Sequence, residues 1–315
     1  MFYRPFFRLV PDGTKIRFMN GRFAGLITSA ALSTASLLLF FYPGLNLGLD
    51  FRGGVVLQVQ TPQAADFSSL RAALASAGLK DAALQSFGTG GNGVLISLES
   101  RDNAAETQTA ITEAETALNQ AAPGSKILST QAIGASVSHD LFTQGLEALG
   151  LSFVMILAYI WFRFEWQFAA GAVTTLLLDT TKTIGFMVLT RIPFDLVTIA
   201  AILTIIGYST NDKVVVYDRV RENLRKYKTM PLRALIDLSI NETLNRTLGT
   251  SGTVFLAALP LALFGGSALS GFAWIMLFGI IVGTTSSIFI AAPILLFLGE
   301  HRLRRSATPV KITSS

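Results

Sequence analysis

The sequence predicts a polytopic α-helical membrane protein with six transmembrane helices and one small α+β domain, ferredoxin-like in pattern, between the first and the second. Three observations carry that prediction. Hydrophobic residues make up 51% of the 315 and charged residues only 14%, a balance too apolar for soluble domains of this length. Six apolar runs, at 23–42, 146–162, 168–189, 194–217, 244–264 and 272–298, reach the ~17–25 residues that cross a hydrocarbon core of about 30 Å. The one long stretch between runs, 43–145, breaks into short segments with alternating or helical spacing.

Residues 1–22 carry Arg4, Arg8, Lys15, Arg17 and Arg22 ahead of the first run. That arrangement resembles a secretory signal, but the run is too long and no small-residue cleavage pattern follows, so 23–42 is expected to stay as a signal anchor. Within 43–145, strands are predicted at 53–60, 82–87, 93–98 and 126–132 and helices at 67–77 and 103–120. The order βαββαβ is that of the ferredoxin-like unit. Asp66 and Asp102 stand where N-caps belong, and "GTGGNG" at 88–93 supplies the turn between the middle strands. Gly-rich loops also cradle phosphate, but this one joins two strands instead of opening a helix. The other five runs fill 146–298, with a loop at about 218–243 and a tail at 299–315.

Basic residues orient the spans. They cluster before the first run, between the fourth and fifth from Arg219 to Arg233, and after the sixth at Arg302, Arg304, Arg305 and Lys311. These segments are expected to be cytoplasmic. The connector at Arg191 is short, the one at 265–271 carries no charge, and 43–145 holds more acids than bases. The small domain is therefore expected outside, and both termini of this multi-pass chain in the cytoplasm.

Several functions find no support. There is no cysteine, and the two histidines, His139 and His301, lie far apart in sequence, so no thiolate or His/Cys metal site is expected. No nucleophile with an adjacent base and no Walker-type loop is visible, which argues against an enzyme. The net charge of +5 gathers at span ends, where topology explains it and nucleic acid is not needed; the lipid bilayer is the expected surrounding.

Polar residues inside the spans are the informative ones. In "IIGYSTNDKVVVYDRVREN", 205–223, Tyr208 and Ser209 lie at i−4 and i−3 to Asp212, a polar stripe ending in a carboxylate. Thr250 and Thr253 share a face with Arg246. Two readings stay open from periodicity alone. Asp212 and Lys213 could mark the end of a shorter span with Arg246 snorkelling to the interface, or Asp212 could be an intramembrane functional carboxylate. Asp179 and Lys182 form a second intramembrane pair, three residues apart. Thr284, Thr285, Ser286 and Ser287 could line the same interior, and Gly279, Gly283 and Ser287, spaced by four, permit close helix contact.

Several segments carry a family resemblance. "GLNLGLDFRGGVVLQV", 44–59, with Asp50, Gly53 and Gly54, resembles the segment that follows the first span in SecD and SecF translocase subunits. "GYSTNDKVVVYDRVREN", 207–223, is similar to the narrower SecF signature through Gly207, Tyr208, Ser209, Asn211, Asp212, Asp218, Arg219, Arg221, Glu222 and Asn223. "LAYIWFRFEWQFAAGA", "NRTLGTSGT" and "GTTSSIFIAAP" extend the likeness to the last span.

The resemblance implies a subunit of the bacterial SecDF complex, RND-related, that uses the proton-motive force to help export preproteins through SecYEG. SecD, SecYEG, YajC and exported preproteins are the implied partners, and protons are the coupling ion with no other cofactor. Asp212 matches the family's proton-linked aspartate and Arg246 the arginine of the following helix, with Asn211 as polar neighbour. Asp218, Arg219, Arg221, Glu222 and Asn223 would form a cytoplasmic helix cap or docking surface. Asp179 matches the aspartate of a His-Asp pair, but Leu178 replaces the histidine and Lys182 is unusual, so structural pairing and proton access both stand. "IGASVS", 133–138, departs from the family's Gly-Pro hinge before the second span. Six helices with one external domain would be an RND-like half that works with a second half, SecD. An RND-type exporter of lipid or small molecules and a passive membrane scaffold are the alternatives.

Overall fold

The computed structural model describes residues 11, 14–87, 91–99 and 104–298. Readings placed on Arg4, Arg8, Gly88, Asp102, His301 and the tail after 298 lie outside the described residues. A 3-10 turn, Phe18–Gly21, leads into α1 (Arg22–Phe41) and a single turn, α2 (Leu49–Arg52). Then follow β1 (Gly54–Gln60), α3 (Phe67–Ser76), β2 (Ala83–Phe87), β3 (Gly93–Leu98), α4 (Ala104–Ala121) and β4 (Lys126–Ile133). The long helices are α5 (Ala135–Arg163), α6 (Trp166–Thr190), α7 (Leu196–Lys226), α8 (Leu232–Phe264) and α9 (Gly266–Ser286), after which a π-helical turn, Ser287–Ala291, leads into α10 (Ala292–Phe297). Among the described residues, six segments are long and apolar enough to cross a membrane.

The strands form one antiparallel sheet in the order β2-β3-β1-β4, the ferredoxin-like arrangement that βαββαβ implied. Alternation decides which face is buried. Val55, Leu57 and Val59 of β1 stand opposite Leu98, Ile96 and Val94 of β3, and all six are buried with Leu70 and Leu74 of α3 and Ala114 and Leu118 of α4. Asp66 caps α3 by accepting from the amides of Ser68 and Ser69. The Ser68 hydroxyl and amide hold its carboxyl below the usual value, as hydrogen bonding to a carboxylate does.

The helices outrun the apolar runs that announced them. α5 begins at Ala135, α7 continues to Lys226 and α8 starts at Leu232, because a helix closes its own hydrogen bonds whether or not its residues sit in lipid. The segment read as a loop at about 218–243 is accordingly two helix ends, and only 227–231 between them is non-helical. Pro231 stands at the N-cap of α8.

α7 is the axis of the bundle, packed against α5, α6, α8 and α9. Its closest neighbour is set by small residues, as in membrane helix pairs generally. A Cβ added at Gly279 of α9 would lie 2.3 Å from Ile205 Cδ1, and one at Gly283 would lie 3.1 Å from Ser209 Oγ. The Gly279/Gly283 stripe thus serves contact inside this half of the molecule. α5 is the peripheral helix, mostly unburied.

The π turn has a local cause. Pro293 has no N–H for residue 289 and its ring crowds that carbonyl, and the widened turn, with Ala292 donating to the Ser287 carbonyl, accommodates it. The Phe289 carbonyl faces α1, where a Cβ on Gly25 would come within 2.9 Å of it.

Candidate functional site

Two carboxylates are buried where α6, α7, α8 and α9 meet. Asp179 of α6 is 1% exposed. Its Oδ2 accepts from Ser209 Oγ of α7 at 2.9 Å, from Lys213 Nζ at 2.9 Å and from Ser286 Oγ of α9 at 2.5 Å. Its Oδ1 accepts from Lys182 Nζ at 3.3 Å. Lys213, 1% exposed, also donates to the Ser209 hydroxyl and to the Ser209 carbonyl, one helical turn back on α7. Asp179 and Lys182 do pair, as their spacing suggested, but Lys213 is the nearer cation.

Asp212, 4% exposed, follows a different logic. It precedes Lys213 and is therefore turned by about 100° around α7, away from Asp179. The hydroxyls of Ser287 on the π turn and Thr247 of α8 face it. Ser287 Oγ already donates to the Thr284 carbonyl at 2.9 Å, and neither Asp212 Oδ2 nor Thr247 Oγ1 has a hydrogen-bond partner. The junction of α9 with the π turn thus presents consecutive serines to two sites, Ser286 to Asp179 and Ser287 to Asp212. Lys213 adds Coulombic attraction for Asp212, so two ammoniums and two carboxylates share the region and their formal charges cancel.

Arg246 is not in this group. Thr247 points inward, so its neighbour Arg246 is rotated to an exposed face of α8. Among the described residues its side chain has no ion pair or hydrogen bond, and Thr250 Oγ1 donates to its carbonyl at 3.0 Å. Asn211 is rotated outward in the same way. Asn211, Gly207 and Thr204 make an exposed small and polar stripe on α7, and Arg246, Thr250 and Thr253 make one on α8.

The rest of the signature ties helices together. Tyr208 Oη donates to Ser251 Oγ at 2.7 Å, and Ser251 meets Thr284 Oγ1 at 2.7 Å, linking α7, α8 and α9. Tyr217 Oη donates to the Ala291 carbonyl at 2.9 Å and fits over Gly171 of α6. Asp218 binds Arg163 of α5 at 2.5 Å and Arg221 at 3.5 Å. Arg219 holds Glu242 of α8 at 2.7 Å and Glu222 at 2.6 Å, while Asn223 donates to Ser239 at 3.0 Å and Glu242 at 2.7 Å.

The glycine pair belongs to the other end of α7. Gly53 and Gly54 have φ of 69° and 112°, values that favour glycine, and turn the chain from α2 into β1. Asp50 Oδ2 accepts from the Leu196 amide at 3.0 Å, satisfying an orphan donor of the first turn of α7. Asp195 caps the same helix with a capping box to Thr198, and burial raises its carboxyl above the usual value. Gly48 and Asn46 exchange backbone hydrogen bonds with Phe194 at 2.8 and 2.7 Å. The sheet domain is therefore anchored directly to the helix that carries Asp212.

Ser286 and Ser287 face the interior as their pattern suggested, Lys213 was read only as a possible span end and not as the partner of Asp179, and Thr247 was not singled out. A signal for Lys213 existed: a lysine inside an apolar run needs a carboxylate, and it sits at i+4 to Ser209. Among the described residues no group of three or more His, Asp or Glu could hold a metal ion.

Comparison with known proteins places this geometry. Residues 113–301 match the family of the protein export membrane protein SecD/SecF, C-terminal, and residues 39–65 match the SecD/SecF GG motif. The protein translocase subunit SecF of Rhodobacter capsulatus is 40% identical over 96% of this chain and 94% of its own length. That of Rickettsia rickettsii is 42% identical over 95% and 96%. The crystal structure of SecDF, a translocon-associated membrane protein from Thermus thermophilus, superposes with a TM-score of 0.82 at 29% identity, over 91% of this chain and 39% of that one. The anchored glycine pair, the six spans and the motif around Asp212 converge with these likenesses: the chain belongs to the SecF family of protein translocase subunits.

Proposed function

We propose that this chain couples the proton-motive force to preprotein export through SecYEG, with Asp212 as the proton carrier, and that it does so as one half of an assembly with SecD and without chemistry of its own. The observation that supports the reading is the contrast at the bundle centre: a buried carboxylate with an unpartnered oxygen beside a second carboxylate that is fully engaged. Buried intramembrane carboxylates mark proton and ion paths. When Asp212 takes a proton, the four-charge group gains one positive charge and Lys213 is held by Asp179 alone. That change bears on the packing of α7 against α8 and α9. α7 carries it to Asp50, Gly53 and β1, and so to the sheet domain, which the basic-residue pattern assigns to the periplasm with both termini in the cytoplasm.

Arg246 enters at the junction with the second half. Lipid cannot satisfy its guanidinium or the polar stripes of α7 and α8, and a SecD subunit would cover them, as the single chain of the Thermus SecDF joins both halves in its name. There Arg246 would act as the charge partner from outside this bundle. YajC is a further expected partner.

The test is export driven by an imposed proton gradient, in vesicles carrying SecYEG, SecD and this chain. Asp212→Asn is expected to abolish the gradient-dependent part while the subunits still copurify. Unchanged export would replace this reading with that of a passive scaffold.

A further inference from the structure

We infer that the cleft between the C-terminal ends of α5 and α7 binds the phosphate headgroup of an anionic phospholipid. The cleft has a volume of about 550 Å³ and is lined by Arg163, Asp218, Arg221, Glu222, Arg225 and Lys226. Its four cations outnumber its two carboxylates, and both carboxylates are already engaged. Asp218 is shared by Arg163 at 2.5 Å and Arg221 at 3.5 Å, and Glu222 is held by Arg219 from outside the cleft at 2.6 Å. Among the described residues Arg225 has no ion-pair partner, Lys226 lies over the ring of Tyr227 at 5.0 Å and is attracted by Glu242 of α8 without a hydrogen bond to it, and Arg221 Nε is without an acceptor. A phosphate monoanion or diester supplies what this surface lacks, charge-assisted acceptors for arginine and lysine donors.

The position of the cleft selects a lipid over a free phosphate ester. Arg163 ends the apolar run of α5, and Tyr159, Trp161, Phe162 and Trp166 beside it are exposed, the aromatic belt of a headgroup layer. Below them α5 presents Leu151, Val154 and Met155 outward, an apolar track on which acyl chains can lie while the headgroup occupies the cleft. Basic clefts between membrane helices recognise anionic headgroups in this way.

The full chain, purified in detergent, would be titrated with phosphatidylglycerol and, separately, phosphatidylcholine, with bound lipid counted by native mass spectrometry. Replacing Arg225 and Lys226 together, R225Q with K226Q, is expected to weaken phosphatidylglycerol binding roughly thirtyfold, with phosphatidylcholine binding unchanged. The charge-preserving pair R225K with K226R should bind as the parent does. The unsubstituted chain should also retain phosphatidylglycerol preferentially from an equimolar mixture of the two lipids, a result that needs no variant to fold. Equal retention of both lipids, or undiminished phosphatidylglycerol binding by the R225Q/K226Q protein, would overturn the site. Displacement of phosphatidylglycerol by soluble glycerol phosphate at comparable concentration would assign the cleft to a free phosphate ester instead.

Discussion

Asp179 and Asp212 lie in one bundle, both buried, and they have opposite surroundings. Every oxygen of Asp179 is occupied, by two ammoniums and two hydroxyls drawn from three helices. Asp212 keeps an oxygen without a partner, among hydroxyls that are spent elsewhere or unsatisfied. A carboxylate held by charged donors is a fixed negative charge around which helices are packed, whereas one short of donors can be neutralised without breaking a network. The difference teaches that two equally buried carboxylates are told apart by their inventory of donors, and it is on that inventory that the proposed proton-carrying role of Asp212 rests. It also gives the two buried lysines a common partner, since both Lys182 and Lys213 reach Asp179.

The largest effect should come from removing the anchor. Asp179→Ala strands Lys182 and Lys213 in the interior, and breaking a buried ion pair costs about 3–5 kcal/mol. Thermal unfolding in detergent should show the loss, and Asp212→Asn should cost far less in the same assay. Equal losses would break the comparison. A second, smaller effect concerns the end of α7 that holds the sheet domain. Asp195→Ala and Asp50→Ala each remove an acceptor from the first turn of α7, with an expected cost of about 1 kcal/mol, whereas Asp195→Asn keeps a capping oxygen. Because burial raises the Asp195 carboxyl, the folded state favours its protonated form. Its contribution is present below the ordinary carboxylate value and is lost as pH rises through the raised one. As pH rises above about 4 the parent should therefore lose stability that Asp195→Asn does not lose. The smallest effect is expected at Arg246. With no side-chain partner inside this half, Arg246→Met should change the stability of the isolated chain by no more than about 0.5 kcal/mol, yet abolish gradient-driven export in the complete assembly. A large loss in the isolated chain would place Arg246 inside the bundle.

Much of this architecture was legible in the sequence, for physical reasons that also mark where reading stopped. Apolar length announces a span because the bilayer demands it, and period-two alternation announced β1 and β3 because one face of the sheet is buried. The continuation of α7 to Lys226 was hidden, since polar residues that leave the membrane carry no hydropathy signal. The Asp179–Lys213 pair joins positions 34 apart in sequence on different helices, and no local periodicity reports such a contact. Asp212 and Arg246 were read together from resemblance, but helix rotation separates them: Thr247 takes the inward position and Arg246 the exposed one. The π turn that follows Ser286 and carries Ser287 depends on Pro293, a residue whose effect is felt a turn before it.

The central claim is that Asp212, and not Asp179, is the carboxylate that exchanges a proton. Isotope-edited infrared spectroscopy of the chain assembled with SecD, with aspartate carboxyls labelled with carbon-13, tests it directly. A protonated-carboxyl band that grows and decays as pH is stepped should be present in the parent and in Arg246→Met, and absent from Asp212→Asn. Persistence of that band in Asp212→Asn, with its loss in Asp179→Asn, would exchange the roles of the two carboxylates and contradict the account.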